Sequence, residues 1–135
     1  MDRLKERLQT AEQAILQLEG SLTIENPSQL ERDGTIQRFE FAFEALWKAA
    51  KEYLYTIEGL DVASPKGVIR SSRELGILDE RNATLALLMA DDRNLTVHTY
   101  NEALAIEIYT RIKQHTVLMR SWQNKIVRLS LSKLQ

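Results

Sequence analysis

A single apolar stripe, running from Leu104 to Leu129, limits the fold of this chain more than any other feature. Leu104, Ile108, Ile112, His115, Met119, Trp122, Ile126 and Leu129 follow one another at spacings of 4, 4, 3, 4, 3, 4 and 3. That is the period of an α-helix with one face against a core. No segment shows the period-two alternation of a half-buried strand, so the spacing predicts an all-helical protein.

The rest of the chain supplies partners for this helix. Leu4, Leu8, Ala11, Ile15 and Leu18 draw a second stripe, which predicts a helix over residues 2–19 with Gly20 as its stop. Pro27 and Ser28 open a longer one, expected over about 28–58, with Ile36, Phe39, Phe43, Leu46, Ala50, Tyr53 and Ile57 on one face. At about 1.5 Å per residue such a helix is roughly 45 Å long. Gly34 near its start is a weak point that marks a late start or a kink. Phe41, Trp47 and Leu54 lie off its stripe. The apolar surface is then either a broad core face or a subunit interface. Ser64 and Pro65 suit the cap and first position of a short helix over about 65–75, stopped by Gly76. Asp79 caps a fourth, expected to run to about 92 through Leu85, Leu88 and Met89, and the long stripe begins near Asn101. The expected architecture is an up-and-down four-helix bundle with one additional short helix, a single domain over residues 1–135.

Composition removes several functions. The net charge of −1 gives no bulk field for gripping nucleic acid, so such contact would be local. Without cysteine there are no disulfides and no thiolate metal sites. The N-terminal "MDRLKERLQTAEQ" has no apolar signal core and no run is long enough to span a bilayer, so the expected location is the cytoplasm, away from membranes. There is no phosphate-cradling glycine loop. His98 and His115 stand 17 residues apart without acidic neighbours at ligand spacing, so neither a metal nor any other cofactor is expected. His115 falls on the apolar stripe and reads as a core or interface histidine with one satisfied nitrogen; Trp47 and Trp122 read as packing residues. Arg70, Arg73 and Arg81 form either a solvated face or a basic patch.

The stretch "DDRNLTVHTY" at 91–100 differs from the rest. It puts an arginine, a histidine and a tyrosine where two helices meet. Arg93 offers a permanent charge with a planar donor fork suited to phosphate oxygens, and His98 can take or give a proton near neutral pH. Those two groups suffice for metal-free RNA cleavage to a 2′,3′-cyclic phosphate. One histidine serves both proton transfers poorly, and a homodimer with two copies of the pair at a shared cleft would solve this. The plainer alternative uses the same residues. Arg93 pairs with Asp91 or Asp92, Asn94 caps the helix end, His98 bonds a backbone carbonyl and Tyr100 packs.

"DDRNLTVHTYNEALAIEIY" resembles the signature of the HEPN superfamily, whose Arg-x4-6-His motif, commonly with Asn after the Arg, precedes the last long helix; the matching residues are Arg93, Asn94 and His98. "RFEFAFEALWKAAKEYL" at 38–54 and "SPKGVIRSSRELGIL" at 64–78 are similar to the nucleotidyltransferase substrate-binding proteins, close relatives of the HepT toxins; the likeness covers roughly residues 5–130. The resemblance implies a minimal nucleotidyltransferase as partner. In the HepT branch it implies a ribonuclease toxin with Arg93 and His98 catalytic and Asn94 and Asp92 supporting. There the partner is an antitoxin that blocks the site by transferring AMP to the tyrosine of Arg-x4-His-x-Tyr, here Tyr100. In the substrate-binding branch it implies a non-catalytic subunit that presents a substrate to the nucleotidyltransferase.

Overall fold

The computed structural model describes residues 2–133. They form five α-helices and one short 3-10 turn, with no strand among them: α1 (Asp2–Ser21), α2 (Gln29–Glu58), α3 (Pro65–Glu74), α4 (Glu80–Leu95), the 3-10 turn (Thr96–His98) and α5 (Glu102–Lys133). The all-helical architecture agrees with the sequence. Helices α2 and α5 pack against each other and both pack against α1 and α4, while α3 lies on α2 and α4.

Local chemistry explains most boundaries. Ser28 caps α2 with a full capping box: its hydroxyl accepts from the Glu31 backbone and the Glu31 carboxylate accepts from the Ser28 backbone. Ser64 and Asp79 accept from the N–H groups of Gly67 and Asn82, and Asn101 accepts from that of Leu104. Gly76, at φ 73°, ends α3 with the Ile77 N–H returning to the Ser72 carbonyl at 2.8 Å, a turn that needs the left-handed region.

Four expectations are corrected. Gly20 does not stop α1, which continues to Ser21. Gly34 marks no late start, because the capping box at Ser28 fixes the first turn of α2 upstream of it. Helix α4 passes through Asp91 and Asp92 to Leu95, so Arg93 lies in its last turn rather than beyond it. Finally, Leu54 is fully buried, whereas Leu88 is 52% exposed and Ala83, Ala86, Met89 and Ala90 make the core face of α4. The broad surface of α2 is therefore in part core. Trp47 packs half-buried at its edge and Phe41 stays exposed.

The long stripe is the core's spine. Ile108, Ile112, Met119, Trp122 and Ile126 are buried, with Leu104 and Leu129 partly so at its ends. At about 1.5–3 kcal/mol for each large apolar side chain removed from water, this face far outweighs one polar member. That member, His115, stacks on Phe39 with ring centroids 5.5 Å apart. The Arg120 guanidinium fastens α5 to α1 through Glu12 at 2.7 Å and Glu19 at 2.8 Å.

Candidate functional site

The α4–α5 junction is a tied turn. The Thr96 hydroxyl donates to the Arg93 carbonyl at 2.6 Å, the Thr99 hydroxyl to the Thr96 carbonyl at 3.1 Å, and the Asn101 N–H to the His98 carbonyl at 3.0 Å. These bonds spend the polar groups of the turn on one another. The His98 and Tyr100 side chains are left projecting from a fixed backbone.

The structure brings His98 and Tyr100 together. The Tyr100 hydroxyl lies 3.4 Å from His98 Nδ1, and the rings meet edge-on with centroids 5.9 Å apart. Tyr100 is 85% exposed, so it does not pack. Asn94, in the last turn of α4, is exposed.

Arg93 pairs with neither aspartate. Its guanidinium turns towards α2, with Nη1 3.5 Å from Glu40 Oε2 and Nε 3.4 Å from Glu44 Oε1. Nη1 also donates to the Thr96 hydroxyl at 3.1 Å. The glutamate contacts are ion pairs too long for charge-assisted hydrogen bonds. The Nη2 group makes no hydrogen bond among the described residues, so one donor edge stays free. No hydrogen bond joins Arg93 to His98. The arginine faces the α2 carboxylates, and the histidine stands on the turn next to it in sequence. Sequence reasoning missed Glu40 and Glu44. Their four-residue spacing marks two carboxylates on one row of α2, but nothing in the chain order says that the row faces Arg93.

The adjacent aspartates diverge, as neighbours on a helix must. Asp91 takes Lys66 of α3 at 2.6 Å on the surface. Asp92 points inward, with a side chain 6% exposed. It accepts from Arg111 Nε at 2.8 Å, from Arg111 Nη2 at 2.7 Å and from His115 Nε2 at 2.7 Å. Burial alone would raise the Asp92 carboxyl. The hydrogen bonds and charge of Arg111 and the bond from His115 outweigh it and hold the group below its ordinary range. Bonding to Asp92 raises Arg111 above its already high range. Burial pushes His115 down, more than Asp92 lifts it, and the Arg111 charge adds to the lowering. The triad is therefore a carboxylate, a guanidinium and a neutral imidazole donating through Nε2, with Nδ1 buried and unpartnered. His115 is a core histidine with one satisfied nitrogen. Asp92 ties the last turn of α4 to α5, which holds the backbone that carries Arg93.

Other features lie away from this junction. Arg73 is exposed and pairs with Glu80 at 3.7 Å, and Arg70 and Arg81 are exposed as well. A concavity of about 810 Å³ lies at the far end of α5, between Leu4 and Leu8 of α1 and Val127 and Leu131 of α5. Among the described residues no cluster of three or more metal-ligating side chains occurs, and no helix is long and apolar enough to cross a membrane.

Known proteins share this architecture. A profile of the family described as nucleotidyltransferase substrate binding protein like matches residues 6–128. A Thermus thermophilus protein of known crystal structure is 52% identical and superposes with a TM-score of 0.83 over 86% of this chain and 98% of its own. A Haemophilus influenzae protein, described as revealing the fold of a substrate binding domain of a nucleotidyltransferase, superposes with a TM-score of 0.63 over 93% of this chain and 97% of its own. At 20% identity that likeness is one of fold. The probable ribonuclease HepT of Haemophilus influenzae is 29% identical over 83 residues, 58% of this chain. The matched stretch spans 56% of that curated relative's length.

Proposed function

The chain belongs to the nucleotidyltransferase substrate-binding-like family of HEPN-type helical proteins, and from that premise we propose that it is the toxin-like member of a two-component system. In this reading it is a homodimeric, metal-independent endoribonuclease. Arg93 stabilises the charge gathering on the phosphoryl oxygens. His98 moves a proton between RNA and solvent, and Asn94 and Asp92 support the pair. The RNA 2′-oxygen attacks phosphorus, the bond to the 5′-oxygen breaks, and a 2′,3′-cyclic phosphate remains. The partner nucleotidyltransferase silences the site by forming a bond between the Tyr100 oxygen and the α-phosphorus of ATP, with pyrophosphate leaving.

The observation that carries this reading is the exposed His98–Tyr100 pair, 3.4 Å apart on a tied turn that follows the helical turn bearing Arg93. A general acid–base group has to reach substrate, and an acceptor hydroxyl has to reach the partner's nucleotide. Both side chains are exposed, which supports the reading. An adenylyl group on Tyr100 would sit against His98, so modification would obstruct the use of His98 on RNA. The test is RNA cleavage by purified protein in EDTA. Wild type cleaves, while Arg93→Ala and His98→Ala stay folded and do not. A wild-type protein inert towards a broad RNA panel overturns the reading.

A second reading is a non-catalytic subunit that docks the nucleotidyltransferase and completes its acceptor site. One observation favours it: two carboxylates already face Arg93 and compete with a phosphate for it. Mass spectrometry after incubation with the partner and ATP separates the two. An adenylyl mass on Tyr100 supports the first. An unmodified chain that stimulates transfer to a small molecule supports the second.

A further inference from the structure

The pair of glutamates beside Arg93 needs a reason. Two carboxylates four residues apart on a helix repel each other, and one would be enough to orient a single guanidinium. Their surroundings differ. Glu44 is engaged at both oxygens: Oε1 faces Arg93 Nε, and Oε2 accepts from Trp47 Nε1 at 3.1 Å with Lys48 at 4.0 Å. Glu40 has one contact, Oε2 to Arg93 Nη1 at 3.5 Å, and its Oε1 is bonded to nothing among the described residues. Its side chain is 28% exposed, which leaves it reachable from solvent. Glu44 is built to hold, and Glu40 has lone pairs to spare.

We infer that Glu40 is the general base of the RNA cleavage proposed above, with His98 as the acid. The inference rests on that reading and deepens it. Arg93 Nη1 meets both Glu40 of α2, at 3.5 Å, and Thr96, at 3.1 Å, the first residue of the turn that ends at His98. A phosphodiester bound at the free Nη2 edge would lie on a guanidinium that already touches the Glu40 carboxylate and is bonded to the turn that carries His98. In-line displacement needs a base at the attacking oxygen and an acid at the leaving oxygen, on opposite sides of phosphorus; Glu40 fills the first role and His98 the second. Glu40 takes the proton of the 2′-hydroxyl as the 2′-oxygen bonds to phosphorus. The bond to the 5′-oxygen breaks, and the imidazolium of His98 gives that oxygen its proton. The turnover leaves a protonated Glu40 and a neutral His98, and exchange with water resets both. One chain then supplies both proton transfers, so a second His98 is not needed for that purpose.

The experiment measures kcat and KM against pH in EDTA on one defined RNA, for wild type, Glu40→Gln, Glu40→Asp and Glu44→Gln, with circular dichroism melts as the folding control. Glutamine keeps the size of the side chain and an amide oxygen beside Arg93 and removes the charge and the basicity. The expected result for Glu40→Gln is a fall of about 10²- to 10⁴-fold in kcat, little change in KM, and loss of the low-pH limb of the rate profile. Glu40→Asp keeps the limb with a smaller loss, and Glu44→Gln keeps it as well. A Glu40→Gln protein that retains the limb overturns the assignment whatever its rate: full activity would point to a second imidazole as base, and a reduced rate to mere positioning of Arg93. A wild-type protein that cleaves no RNA overturns this inference and the ribonuclease reading together, whereas a failure confined to Glu40 leaves that reading standing.

Discussion

Replacing Asp92 with alanine tests how far the buried triad holds the site's framework. The carboxylate is 6% exposed and accepts three hydrogen bonds, two from Arg111 and one from His115. Removing it strands the His115 Nε2–H in the core, which costs about 1–3 kcal/mol. It also removes the bonds to Arg111, at about 1.5–3 kcal/mol for hydrogen bonds to a charged group. That second loss is discounted, because Arg111 is 36% exposed and keeps Glu107 at 3.2 Å as a partner. The expected total is about 3 kcal/mol, at the lower edge of what breaking a buried pair usually costs. A chain of this length would lose on the order of 10 °C in melting temperature. Urea titration followed by circular dichroism at pH 7.5 reads the change as a lower midpoint at an unchanged slope. His115→Phe in the Asp92→Ala background removes the stranded donor and should restore about 1–2 kcal/mol. A loss below about 1 kcal/mol for Asp92→Ala, or a double variant weaker than Asp92→Ala by the full cost of a core change, would refute this account of the triad.

Three more outcomes follow from the same structure. Because burial lowers the His115 imidazole, the unfolded chain takes up a proton below about pH 6.5 that the folded chain refuses, so stability is full above that pH and falls as pH drops through it; urea midpoints at pH 7.5 and 5.5 should differ in wild type and converge in His115→Phe. Gly34→Ala should stabilise by about 0.5–1 kcal/mol in thermal melts, since a Cβ there meets nothing within 4 Å and the position is helical and exposed. Gly76→Ala should destabilise by about 1 kcal/mol or more in the same melts, although the space is equally open, because φ is 73°.

The helices were legible because periodicity and caps are local. Ser28, Ser64 and Asp79 mark starts that the backbone then uses, and the stripe from Leu104 to Leu129 predicts the face that is buried. What failed was set by tertiary packing. Leu54 looked surplus and Leu88 looked like core, but the width of a buried face depends on which neighbours flank the helix, and sequence spacing does not contain that. The fourth helix was expected to end near Asp92, yet it runs on to Leu95, and Asp92 finds its partners 19 and 23 residues on, at Arg111 and His115. Arg93, His98 and Tyr100 stood out because their chemistry is dense in one short stretch. Glu40 and Glu44 did not, because a glutamate on a helix becomes informative only when the group opposite is known.

The measurement that bears most directly on the account is the chemistry of the RNA ends. A defined RNA is incubated in EDTA with wild type and with His98→Ala, and the fragments are analysed by mass spectrometry. The account predicts 2′,3′-cyclic phosphate and 5′-hydroxyl termini from wild type and intact RNA from the variant. Fragments ending in a 3′-hydroxyl, or equal cleavage by both proteins, would contradict it.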